Sequence, residues 1–221
     1  MSNDTGVRGK TAAFARTTPA NAPSPGMSRW LVLAARAILF AAASLSISGC
    51  ASNRPLTSDE FHNLQNPPAT ISTDVERLEP GVTGYIREAE QSGLQQGRLL
   101  YPDELELAAK IGVAHPELVR VVVTGTFPVP SDTALAAELK SRIGLGSSST
   151  GGLTLGHAIF VTPKYANSRW LLAHELTHVG QYEERGVDRF AHDYLVQLLL
   201  VGYARAPIEQ AARDNEHLGR E

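Results

Sequence analysis

From residue 100 onward, apolar positions fall into blocks whose spacing alternates between the helical and the extended period. Residues 103–111 place Leu105, Leu107, Ala108 and Ile111 between Pro102 and Gly112, which predicts a short helix. Residues 118–124 carry Val119, Val121, Val122 and Val123 between Pro116 and Gly125, which predicts a strand. Ser131 or Asp132 is placed to cap a helix running to about Ile143 and closed by Gly144. The Gly- and Ser-rich stretch 146–152 predicts a flexible turn. A second strand is expected over 153–161, through Leu153, Leu155, Ala158, Ile159, Phe160 and Val161, ended by Pro163. Three helices follow. The first is capped by Asn167 or Ser168 and stopped by Gly186. The second is opened by Asp188, with Phe190, Tyr194, Leu195, Leu198 and Leu199 on its apolar side. The third is opened by Pro207. The fold class read from this order is α+β, with one short sheet and a helical C-terminal third.

The first eighty residues carry a different pattern. Residues 1–26 are rich in Ser, Thr, Ala, Pro and Gly without apolar periodicity, and read as disordered or as an extension ahead of a true start at Met27. From Met27 the order is basic (Arg29, Arg36), apolar (37–47) and small (Ser48, Gly49), then Cys50: the order of a secretory signal over 27–49. That apolar stretch is shorter than a bilayer span requires. Ile47-Ser48-Gly49-Cys50 resembles the lipobox of bacterial lipoproteins. The resemblance implies lipidation of Cys50 as the first mature residue, with Ala51 favouring the outer membrane, facing the periplasm. Several acyl chains on one cysteine anchor stably where a single chain would not. Residues 50–80, with few apolar anchors, read as a tether, and 81–221 as the folded domain. The polar, Gly-punctuated stretch 81–100 is a candidate cover for a cleft.

Composition narrows the classes further. At 43% hydrophobic and 19% charged over 221 residues, the chain is not wholly disordered, and one cysteine makes no intrachain disulfide. From Cys50 onward 15 Lys and Arg face 22 Asp and Glu. This acidic body does not suit a nucleic-acid partner, which needs clustered cations.

The chemistry concentrates in His174-Glu175-Leu176-Thr177-His178. Residues four apart share a helix face, so both imidazoles can point at one ion while Glu175 reaches water beside it. Leu172, Leu176 and Val179 would seat this helix in a core. A catalytic zinc takes a third protein ligand. Glu184 stands where a third histidine would follow in the extended pattern. Glu209, 31 residues after His178 and in the last helix, is the leading alternative, leaving room for one intervening helix to return the chain. Asp188, His192 and Asp193 compete from the middle helix, and Glu216 and His217 from near the terminus.

Residues 153–213 resemble the gluzincin-like zinc metallopeptidases, and more closely small bacterial domains built on Gly152-Leu153-Thr154-Leu155-Gly156, Leu171 to Val179 and Ala206 to Ala212. The resemblance implies a minimal zincin-like domain in which an edge strand precedes the HExxH helix and two further helices. It also implies zinc on His174, His178 and Glu209, with Glu175 as the catalytic base. Such families often place an Asp four residues after the ligand Glu to orient a zinc histidine; Arg213 stands there, followed by Asp214. Extended substrate would lie along the strand at 155–161. His157 is a candidate oxyanion donor or otherwise an ordinary strand histidine. Tyr203 is a second candidate donor or otherwise packing between the last helices. Gln181 and Tyr182 read as structural.

The function expected is a membrane-anchored zinc metallopeptidase of the bacterial cell envelope, acting on peptide or protein substrates. The alternative is a non-catalytic envelope lipoprotein with a structural or vestigial metal site.

Overall fold

The computed structural model describes residues 54–143, 145 and 151–220. Cys50, the signal-like segment and residues 1–26 lie outside them, as do Gly144 and 146–150 of the expected turn. Seven helices and three strands follow in order: α1 (Ser58–Gln65), α2 (Ala69–Gln96), α3 (Pro102–Ile111), β1 (Arg120–Val123), α4 (Thr133–Ile143), β2 (Gly152–Leu155), β3 (Ala158–Val161), α5 (Arg169–Arg185), α6 (Val187–Val201) and α7 (Pro207–Asn215). The α+β class holds. No helix among the described residues is long and apolar enough to cross a membrane.

The sheet is small and mixed, in the order β1-β3-β2, with β1 parallel and β2 antiparallel to the central β3. Ala158-Ile159-Phe160-Val161 is buried on both faces, the continuous apolar run expected of a central strand. Ile159 and Val161 face a core shared with α3 and α5, through Leu107, Ala108, Leu172, Leu176 and Val179. Ala158 and Phe160 face a second core with Tyr85, Ile86 and Ala89 of α2 and Phe190 and Ala191 of α6. Helices thus cover both faces of a three-stranded sheet, and α5 is buried along most of its length.

Two expectations need correction. The single strand over 153–161 is a hairpin. Gly156 adopts φ 63°, a left-handed conformation that suits glycine, and the chain reverses at Gly156-His157. The edge strand beside the HExxH helix is therefore β2, while the 158–161 segment lies in the middle of the sheet. Residues 50–80 are also not a tether from residue 58 onward. Thr57 closes a capping box with Glu60 at the start of α1. Helix α2 then runs through Pro80 for 28 residues. Pro80 removes one helical hydrogen bond, but Val75 and Leu78 before it are fully buried against Leu195 and Val196 of α6. That burial outweighs the local preference of a polar, Pro-punctuated sequence. The second half of α2, which includes most of 81–100, forms a core wall and not a cover.

Candidate metal centre

Helix α5 starts after Ser168 and carries His174 and His178 one turn apart on one face, as their spacing predicts. Helix α7 opens on Pro207 and places Glu209 in its first turn, where the helix dipole favours a carboxylate. Two glutamine side chains dock α7. Gln197 Oε1 accepts the Ile208 N–H at 2.9 Å, and Gln181 Nε2 donates to the Ile208 carbonyl at 3.0 Å. Asn215 Nδ2 adds a bond to Thr177 Oγ1 at 3.1 Å. Ile208 and Ala212 are buried beside them.

The result is a convergence of His174, His178 and Glu209, all buried. The two Nε2 atoms lie 3.2 Å apart, Glu209 Oε2 is 3.4 Å from His174 Nε2, and Glu209 Oε1 is 3.5 Å from His178 Nε2. Ligands about 2.05 Å from a tetrahedral zinc stand roughly 3.3 Å from one another; the two imidazole nitrogens already stand at that separation, and the Glu209 carboxylate reaches both, with Oε2 beside His174 and Oε1 beside His178.

Hydrogen bonding fixes which nitrogen each histidine offers. Because Gln181 Nε2 is committed to Ile208, its Oε1 faces His178 Nδ1, at 2.8 Å, and takes a proton from it. His174 Nδ1 points at Glu216 Oε1, at 3.3 Å. Both Nε2 lone pairs are thereby turned inward, the arrangement that second partners impose on metal-binding imidazoles. Glu209 Oε1 accepts the Tyr194 hydroxyl at 2.6 Å, but Oε2 is buried with no hydrogen-bond partner. A buried acceptor without a donor is costly, and here it sits beside two further acceptors. A cation satisfies all three. Burial pushes the Glu209 carboxyl up, while a proton on the facing His174 and His178 imidazoles, together with the Tyr194 hydroxyl, would hold it down at about 2; a cation in place of that proton acts in the same direction. It is ionised, as a metal ligand must be.

Glu175 is 4% exposed. The Thr154 hydroxyl of β2 donates its one proton to Oε2 at 2.7 Å and lies 3.1 Å from the Glu175 backbone carbonyl. Burial pushes the Glu175 carboxyl up, against the pull of the two histidines and the Thr154 hydroxyl. Strand and helix approach closely here because position 152 is glycine, where a Cβ would overlap the Glu175 carboxylate. A cavity of about 560 Å³ opens on His174, Glu175, His178 and Glu209, with β2 along one side.

The remaining candidates divide. Tyr203 lines this cavity and is 52% exposed. His157 does not line it. It occupies the β2–β3 turn, with its backbone N–H on Glu90 at 2.8 Å, Nδ1 on Glu90 at 3.1 Å and Nε2 3.3 Å from Glu183. His157 is thus engaged by Glu90 and Glu183, apart from the residues that line the cavity. Asp188 pairs with Arg87, His192 with Glu79 and Asp193 with Arg189, so none of the middle-helix competitors reaches the metal group. Arg213 lies 3.8 Å from Glu209 Oε2 and bonds the Ala204 and Tyr203 carbonyls, anchoring the turn before α7. The carboxylate that faces His174 Nδ1 is that of Glu216, three residues further on. Gln181, Tyr194, Thr154 and Glu216 thus join the site in roles the sequence reading does not give them: it weighs Glu216 only as a third ligand and Gln181 only as structural. For Gln181 the signal was there, since it lies one helical turn after His178.

A family model described as the eCIS core domain matches residues 132–186. These 55 of the 221 residues span α4, β2, β3 and α5, and so include His174, Glu175 and His178 but not Glu209. No curated protein matches the chain, and no solved structure does.

Proposed function

We propose that this protein is a zinc-dependent metallopeptidase, anchored in the bacterial cell envelope through a lipidated Cys50. The observation that carries the reading is the buried His174–His178–Glu209 group, spaced 3.2–3.5 Å and bordered by the carboxylate of Glu175 in an open cavity. Among the described residues the group contains three donors. A structural zinc site closes with four protein ligands, whereas a catalytic one keeps a corner for water or substrate. Glu216 does not complete a closed set, because it approaches His174 on the Nδ1 side. This favours the catalytic reading over a vestigial or structural metal site.

His174, His178 and Glu209 would hold the ion, their free lone pairs already turned toward a common point. A divalent cation so held supplies Lewis-acid activation of water and of a substrate carbonyl. Glu175 takes the proton of the attacking water and returns it to the departing amine. Thr154 keeps the Glu175 side chain in one rotamer, and β2, unpaired on its cavity side, offers backbone groups to an extended peptide. Peptide or protein substrates of the envelope follow from the proposed anchor.

Two variants test the reading together. Glu175→Gln is expected to retain one equivalent of zinc by elemental analysis and to lose at least 1,000-fold in peptide hydrolysis, on the order of one lost proton-transfer group. Glu209→Ala is expected to lose the zinc. Undiminished hydrolysis in Glu175→Gln, or full zinc content in Glu209→Ala, would overturn it.

A further inference from the structure

The folded domain begins close to the proposed anchor. Between Cys50 and Arg54 the chain has four residue steps, which reach at most about 14 Å however they are arranged. From Arg54 onward the chain is fastened. The Arg54 guanidinium donates to both oxygens of Glu60, at 2.8 and 2.7 Å, and the same carboxylate takes the Thr57 N–H at 3.0 Å in the capping box of α1. A second guanidinium shares it: Arg205 Nη1 donates to the same Oε1 at 2.8 Å. The Glu60 and Arg205 side chains are only 22% and 17% exposed, so this is not the loose surface pair that contributes little. Leu64, one turn further along α1, packs on the cluster of Val75, Leu78, Leu195 and Val196 and holds the helix independently of the ion pairs. Arg205 belongs to the short turn Tyr203–Arg205 that leads into α7. Tyr203 lines the cavity at the metal group, and Arg213 of α7 holds the Tyr203 and Ala204 carbonyls. The point from which the chain leaves for Cys50 and the Tyr203 rim of the cavity therefore share one corner of the domain.

We propose that the metallopeptidase works against the membrane that carries it, and that its substrates are polypeptides held in that same membrane and cut in the stretch next to the bilayer. The proposal rests on the anchor and peptidase readings above and adds where the substrate is held. Acyl chains on Cys50 place that residue at the headgroup level. Four residue steps then hold Arg54 beside the lipid surface, and with it, through Glu60 and Arg205, the Tyr203 rim. A tether over the whole of 50–80 would reach roughly 100 Å when extended and let the cavity sample space well away from the membrane. The short one does not. A polypeptide anchored nearby meets the cavity at the effective concentration of a tethered pair, in the millimolar range. Only its bilayer-proximal stretch comes within reach, and a free peptide has no such advantage.

The test uses zinc-loaded, lipidated full-length protein in vesicles of phosphatidylethanolamine and phosphatidylglycerol. Beside it stands a form with a 60-residue Gly/Ser insert between Ala51 and Ser52, which lengthens the tether to about 45 Å r.m.s.. Casein, a disordered polypeptide, is coupled to a lipid in the same vesicles by its N-terminus or by its C-terminus. Cut sites are expected to cluster toward whichever end is anchored, and anchored casein to be cut about 100-fold faster than free casein. The insert is expected to spread the cuts along the casein chain. Placement is read without activity. With the Cys50 sulfur acylated, Tyr203→Cys supplies one free thiol for a fluorophore, and energy transfer to headgroup-labelled lipid is expected to fall at least twofold with the insert. Identical cut sites for the two casein orientations, or transfer unchanged by the insert, overturns the proposal. Transfer that responds to the insert while no casein is cut overturns the peptidase reading and leaves the placement standing. Casein cut by protein that does not float with the vesicles keeps the peptidase and removes the anchor, and the proposal with it.

Discussion

At position 174 a histidine can serve a metal only if its other nitrogen is held, and the holder is Glu216, 42 residues away in sequence and 3.3 Å away in space. Replacing such a partner ordinarily costs 10–100-fold in metal affinity. Glu216→Ala is accordingly expected to weaken zinc binding about 30-fold in a chelator competition. Glu216→Gln should recover part of that loss, because an amide oxygen still accepts from Nδ1. Arg220→Ala, which removes the cation 3.5 Å from Glu216 on its outer side, should leave affinity unchanged. If all three variants bind zinc like wild type, Glu216 is a bystander. The His174–Glu175–His178 constellation was legible in the sequence, because a four-residue spacing is a statement about one helix. Glu209 could be reached by elimination, since it is an acid in the first turn of a predicted helix at a suitable remove. Tyr194 was not, because the residue reads as one more member of the apolar side of α6 and only the docking of α7 brings Glu209 to its hydroxyl. Glu216 suffered from position: a residue near the terminus reads as frayed until the packing of Gly219 against the Arg169 and Trp170 backbone places the final turn on α5.

The β2–β3 hairpin carries the edge strand of the cavity, and its turn is fastened to two helices through His157, which faces Glu90 of α2 and Glu183 of α5. Hydrogen bonding to Glu90 raises the His157 pKa against the effect of burial, with Glu183 adding to it. The same contact lowers that of Glu90. A histidine raised on folding contributes stability that is complete below its ordinary value of 6.5 and is lost as pH climbs through the folded value. A carboxylate lowered on folding contributes stability above its ordinary value of 4.5 and loses it as pH falls through the folded one. The fastening is therefore at full strength between those two values. The melting-temperature difference between wild type and His157→Gln is expected to peak near pH 5.5 and to shrink on going to pH 8. A difference independent of pH would mean that His157 acts through packing alone. The same hairpin marks where sequence reading of elements stopped. The run 153–161 satisfies a strand pattern throughout, and its one break, Gly156-His157, reads as easily as a close-approach glycine. The stretch 58–80 failed for the opposite reason. Its helices have few apolar residues, and the most deeply buried of them, Val75 and Leu78, find partners on α6 more than a hundred residues later. The helices after residue 100 were readable because their caps and breakers lie beside them: Asp132 Oδ1 accepts from the Ala134 and Leu135 N–H groups, and Gly186 ends α5 at φ 73°.

Across the whole molecule the metal group is a joint between unequal parts. His174 and His178 belong to α5, which is buried between the sheet and its neighbours. Glu209 belongs to α7, a nine-residue helix, and Glu216 to the short turn that follows it. Placing a cation among three acceptors removes their mutual repulsion and ties α7 to the interior, whereas without it Glu209 Oε2 remains buried and unsatisfied. Binding to the folded state at 100 times Kd stabilises by about 2.7 kcal/mol, equivalent to a 100-fold slowing of any opening that releases the ion. That slowing should not be shared evenly, because openings confined to α2 and α3 leave the ligands in place. Hydrogen exchange on the full chain is expected to show zinc-dependent protection concentrated in residues 207–220 and in the second half of α5, reversed by chelator. Protection in α3 and the first half of α2 should change little. Glu209→Ala should exchange at one rate with and without zinc, at about the zinc-free wild-type rate or faster. A uniform gain of protection along the chain would mean that the ion stabilises only global folding. No gain anywhere would mean that these three side chains do not hold an ion together, and the joint would then be an ordinary helix contact.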